Sequence, residues 1–130
     1  MQQNTHLKTS KKLVGAVVSI QENKSTVRLR MTEDMMVDSF DLAHGGFTFG
    51  LADYAAMLAI NHPNVVLGKA EVKFIKPTIV GDELIAEAEV TEQVNPMKSM
   101  VSVSVKNQND VLVFEGVFTC FSLDNHILEK

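Results

Sequence analysis

Phe47-Thr-Phe-Gly-Leu-Ala-Asp53-Tyr-Ala-Ala-Met-Leu-Ala-Ile60 is the stretch on which the reading of this chain turns. Its alanines, leucines and methionine favour helix. Gly45-Gly46 stands at its start, and Asn61-His62-Pro63-Asn64 stops it. A helix apolar nearly all round belongs inside something, here a wrapping sheet. Asp53 is the only side chain in it that is charged at neutral pH.

Strands flank the helix on both sides. Leu13 to Ile20 is β-rich, Gln21 to Lys24 reads as a turn, and Val27, Leu29 and Met31 then alternate with polar neighbours, so the pair forms a hairpin. Residues 1–12 are polar and read as a short helix or a loose arm. A loop with Glu33, Asp34, Asp38 and Asp41 leads to the helix. Beyond it come strand-like runs at Val65 to Lys76, Glu83 to Glu92, Met100 to Lys106 and Val111 to Leu123. Turns at Gly81-Asp82, Asn95-Pro96 and Asn107 to Asp110 separate these four runs, and residues 124–130 form a polar tail. The order is β-β-α-β-β-β-β within one domain, 1–130. One helix covers one face of a mostly antiparallel sheet. Val, Phe and Ile on the late strands imply that the sheet's edges or its other face are also apolar, and hence a homo-oligomer, dimer or tetramer.

Composition excludes several functions. The 130 residues carry a net charge of −4 with scattered cations, which disfavours nucleic acid. No run of about 20 apolar residues offers a membrane span, and no charged-then-apolar leader opens the chain. Cys120 is the only cysteine, so no disulfide forms within the chain, and it reads as a small core residue. A cytoplasmic protein is expected. The four histidines are scattered and give no metal-ligand spacing.

The chemistry centres on Asp53. A lone carboxylate in a buried helix costs several kcal/mol unless it is paired or kept neutral. Either it faces a solvent gap or caps a neighbouring backbone, or it works. Two features favour work. At about 100° per residue Gly46, Gly50, Asp53 and Met57 share one side, where the glycines clear a channel. Gly45 and Gly46 also let a ligand approach free N–H groups at the positive end of the helix. Those donors lie some 10 Å or more from Asp53 along the axis.

Phe40-Asp-Leu-Ala-His44-Gly-Gly-Phe-Thr-Phe-Gly-Leu-Ala-Asp53-Tyr-Ala55 resembles the signature of hotdog-fold acyl-CoA thioesterases of the phenylacetate-pathway (PaaI-like) type. Val72-Lys-Phe-Ile-Lys-Pro77 with Gly81-Asp82 resembles the strand and turn that follow in that family. The resemblance implies an α+β hotdog, one long central helix wrapped by five or six strands, that hydrolyses acyl-CoA thioesters across a dimer interface. Asp53 would be the general base or nucleophile and the Gly45 N–H the oxyanion donor. His44 and Gly46 would shape the binding loop, and Lys69, Lys73 and Lys76 would hold the CoA phosphates, unless they merely form a solvated strand face. Neither metal nor cofactor is implied, since CoA is part of the substrate.

Two positions depart from the family. Asp38 stands where many relatives carry an Asn that helps place water or the thioester. Met57, Gly68 and Lys69 offer no hydroxyl where relatives often supply a Ser or Thr near the acid. Asp41 is a competing acid, held second to Asp53. A hotdog module that binds acyl-CoA as sensor or carrier is the alternative, and an acyl dehydratase would need a different His-acid motif. Phe47, Met57 and Met97 are the residues expected to line an acyl pocket.

Overall fold

The computed structural model describes residues 1–129. Strands β1 (Ala16–Gln21) and β2 (Lys24–Arg30) precede a short 3₁₀ turn at Glu33–Met35 and helix α1 (Gly45–Ile60). Strands β3 (Val65–Phe74), β4 (Glu83–Gln93), β5 (Lys98–Lys106) and β6 (Leu112–Ser122) follow. The six strands make one sheet in the order β1-β2-β4-β5-β6-β3, every neighbouring pair antiparallel. One helix on a six-stranded antiparallel sheet is the hotdog architecture.

Register explains how the sheet holds the helix. Val27, Ala86, Val105 and Phe114 face one another across β2, β4, β5 and β6, all buried. The next rung, Thr26, Glu87, Ser104, Glu115 and Lys73, is polar. A period of two puts these rungs on opposite faces, so the inner face packs on α1 while the outer one meets water. The second apolar surface expected from the late strands is therefore not on the sheet's far side. Exposed apolar groups gather instead on two loops at the start of α1: Val37 and Phe40 on one, Ile75 and Ile79 on the other. The loops are stitched together by a Leu42–Ile79 bridge and by the Ala43 N–H donating to the Thr78 carbonyl. Asp82, buried, braces the second loop, its Oδ2 accepting the Ile79 N–H at 2.9 Å.

Residues 1–12 are neither helix nor loose arm. The Asn4 N–H donates to Asn61 Oδ1, and Asn61 Nδ2 donates to the Gln2 carbonyl, both at 2.8 Å, tying the arm to the carboxyl end of α1. Asn61 ends the helix in the left-handed conformation that its short polar side chain tolerates. Of the tail 124–130, residue 130 lies outside the described residues. Among the described residues no helix is long and apolar enough to cross a membrane.

Candidate functional site

Helix α1 begins at Gly45, within the expected Gly45-Gly46 start, and His44 caps it. His44 sits in an extended conformation, and its Nδ1 accepts the Gly46 N–H at 2.7 Å, while its own N–H donates to the Met35 carbonyl. One of the helix's orphan donors is thereby satisfied. The Gly45 N–H forms no hydrogen bond among the described residues. Of the two glycine amides expected to meet a ligand, only that of Gly45 remains available.

The sheet wraps most of α1. Leu51, Ala52, Tyr54 to Ala59 and Thr48 are buried, whereas Gly46, Gly50 and Asp53 emerge on one side. Met57, expected beside them, is in the core. A side chain at Gly50 would meet nothing within 4 Å, so open space adjoins the carboxylate one turn away. Asp53 Oδ1 is itself buried and has no hydrogen-bond partner. Burial pushes its pKa up to about 6. Burial, and after it the charge of Asp53, pushes the Cys120 thiol up to about 12, which places the β6 cysteine close by and makes it inert.

The other expected site residues divide. Asp38 is exposed, and its Oδ1 accepts the Phe40 and Leu42 N–H groups at 2.9 and 3.2 Å, shaping the loop before the helix. Asp41 is also exposed, in a left-handed conformation, with its carbonyl accepting the Val80 N–H. Lys69 and Lys73 share the sheet's outer face, the former paired with Glu71 at 3.0 Å. Lys76 lies apart, at the helix mouth. There a cavity of about 370 Å³ opens beside Gly45, lined by Thr48, Phe74, Lys76, Pro77 and Val113 among others. The Phe74 ring covers Gly45, whose added Cβ would lie 3.1 Å from it. Of the residues expected in a pocket, none lines this one: Phe47 packs on the core's edge, and Met97 lies in the turn between β4 and β5. Phe74 and Val113 were missed because alternation marks both only as strand residues. No group of three or more His, Cys, Asp or Glu among the described residues is placed to hold a metal.

An acid with an unsatisfied oxygen, an unclaimed amide at a positive helix end and an apolar cavity beside that amide suit attack on a carbonyl. Residues 40–114 match the family model of the thioesterase superfamily. Over 121 residues the chain is 46% identical to the methylthioribose-1-phosphate isomerase of Aquifex aeolicus, spanning 92% of this chain and 26% of that protein. It is 31% identical over 123 residues to the transcription factor FapR of a Thermoanaerobacter species, spanning 94% and 60%. It is 29% identical over 104 residues to the acyl-coenzyme A thioesterase PaaI of Escherichia coli, spanning 77% and 73%. Among solved structures, an uncharacterized protein of Pyrococcus horikoshii matches with a TM-score of 0.96 at 50% identity, covering 99% of this chain and 98% of that one. Escherichia coli PaaI matches at 0.73 and 26% identity, covering 81% and 80%.

Proposed function

The chain belongs to the thioesterase superfamily, and we propose from that premise that it hydrolyses an acyl-CoA thioester to a carboxylic acid and free CoA. The observation that carries this reading is the buried, unpartnered Oδ1 of Asp53 beside the open space at Gly50. A buried polar atom without a partner costs about 1–3 kcal/mol, a penalty understandable where a substrate or water supplies the missing bond. Asp53 either takes a proton from the water that attacks the carbonyl carbon, or attacks that carbon itself to form a mixed anhydride that water then hydrolyses to the acid. The carbonyl oxygen gains negative charge, and the C–S bond breaks as CoA thiolate leaves and is protonated. The Gly45 N–H stabilises that oxygen, an effect of about 3 kcal/mol for one such donor. His44 and Gly46 hold this amide in place, Asp38 shapes the loop beside it, and Lys73, with Lys69 less free, receives the nucleotide phosphates. No metal or separate cofactor takes part. The reaction is assigned to the cytoplasm, where one inert free cysteine is at home.

Gly45 and Asp53 stand eight residues apart on one helix, about 12 Å at 1.5 Å per residue. Both must come within roughly 3 Å of one carbonyl group. One chain therefore does not complete a site, and the working unit pairs Gly45 of one copy with Asp53 of a second in a homodimer, alone or stacked into a tetramer. Strand β3 supports this: ten residues long, it ends the sheet with its outer edge unpaired. Antiparallel self-pairing centred on Ala70 sets Lys69 of each copy opposite Glu71 of the other.

The test is thiol release from a panel of acyl-CoAs. Turnover is expected, and Asp53→Asn lowers kcat by about 10²–10⁴-fold while calorimetric CoA binding persists. Tight binding without turnover by the unmodified protein would sink the enzyme reading in favour of a sensor or carrier. The likeness to a transcription factor supports that second reading.

A further inference from the structure

We propose that the cavity at the mouth of α1 receives the acyl group, that Phe74 sets its depth, and that the acyl groups taken are uncharged hydrocarbon or aryl chains. This rests on the thioesterase reading above. The cavity, about 370 Å³, falls within the range of small-molecule pockets. Gly45 forms part of its wall, so a carbonyl oxygen held by the Gly45 N–H leaves one substituent of that carbonyl at the opening. The two candidates are the acyl chain and the sulfur with its pantetheine arm. That arm carries two amides, which lose about 1–3 kcal/mol each if buried without partners. Apart from the hydroxyls of Thr48 and Thr78, both on largely buried residues, and the Lys76 ammonium, the lining side chains, Ala43, Phe74, Ile75, Pro77 and Val113, offer none, so most of the lining suits hydrocarbon. Lys76 is the only charged side chain on the lining; its side chain is exposed, and no acid accompanies it.

Phe74 closes the cavity toward Gly45. Its ring contacts Phe114 edge-on at a centroid distance of 5.1 Å, yet the residue is 56% exposed. Within one chain the ring packs on one side only, so its replacement does not open that chain's core, which lies behind Phe114.

The experiment measures kcat/KM by thiol release for straight-chain acyl-CoAs of rising length, an arylacyl-CoA and succinyl-CoA. For the unmodified protein kcat/KM should rise about fourfold per methylene and then stop, fourfold being the rate equivalent of about 0.8 kcal/mol per buried methylene. Phe74→Ala should move that stop to longer chains and Phe74→Trp to shorter ones. If both variants scale every acyl-CoA by one common factor, the cavity does not read the acyl chain and the proposal falls. A preference for succinyl-CoA overturns it as well. Both failures leave the hydrolase reading standing, because thiol release by the unmodified protein tests that separately. Absence of turnover with every acyl-CoA sinks both. Should Phe74→Ala fold poorly by circular dichroism, Phe74→Leu with Phe74→Trp gives the same comparison.

Discussion

His44 Nδ1 lies 2.7 Å from the Gly46 nitrogen and accepts its proton, which leaves Gly45 as the open donor at the start of α1. The imidazole is thus a helix cap. Removing it by His44→Ala should cost about 1 kcal/mol in urea unfolding, whereas His44→Asn, a better capping residue than Ala, should recover most of that. Activity should follow stability in both variants. If His44→Ala abolished thiol release without changing stability, a chemical role for the ring would replace the structural one.

Asp53 sets two pH dependences of opposite consequence. As a base it must be ionised, so kcat/KM should fall as pH drops through about 6, the value to which burial raises it. For stability the sign reverses. A carboxyl group with a folded pKa above its unfolded one favours folding most below the unfolded value, near 3.9, and that benefit is lost as pH rises through about 6. Asp53→Asn should therefore stabilise the fold at pH 7, by about 2 kcal/mol after discounting for partial exposure, and gain little at pH 4. Denaturant unfolding at the two pH values checks this.

Gly50→Ala separates fold from function in the same way. Glycine within a helix costs about 1 kcal/mol relative to alanine, and the added methyl meets no neighbour within 4 Å. The variant should melt at a higher temperature. Because that methyl enters the channel beside Asp53, kcat/KM should fall at least tenfold. Unchanged activity would show that substrate does not pass there.

The Lys69 and Glu71 pair on β3 tests the assembly. Reversal by Lys69→Glu sets like charges across a self-paired edge and should shift sedimentation toward monomer. Adding Glu71→Lys restores complementary charges and should restore the dimer. Each exposed pair is worth less than about 1 kcal/mol, so the effect is clearest near the dissociation midpoint. Sedimentation unaffected by the single reversal would place the contact elsewhere.

The elements were legible because each followed a local pattern: alternation in Val101, Val103 and Val105, and the alanine-rich run from Ala52 to Ala59. The strand order was not. β2 pairs with β4 across the whole helix and β3 with β6, and such distant partners leave no mark on a local period. Asp53 stood out as a charge where none belonged. The start of α1 was legible in Gly45-Gly46, whereas the capping role of His44, an unusual residue at that position, was not. Phe74 escaped notice because its importance comes from Gly45, 29 positions earlier in the chain.

If the amide and the acid of one site come from two copies, as proposed, catalytic competence becomes a property of concentration. Diluted below its dissociation constant, the protein would keep its fold and its ligand-facing groups yet lose its specific rate, in proportion to the dimer fraction set by mass action. A cell lowering the amount of this protein would on that account reduce its throughput more steeply than its abundance.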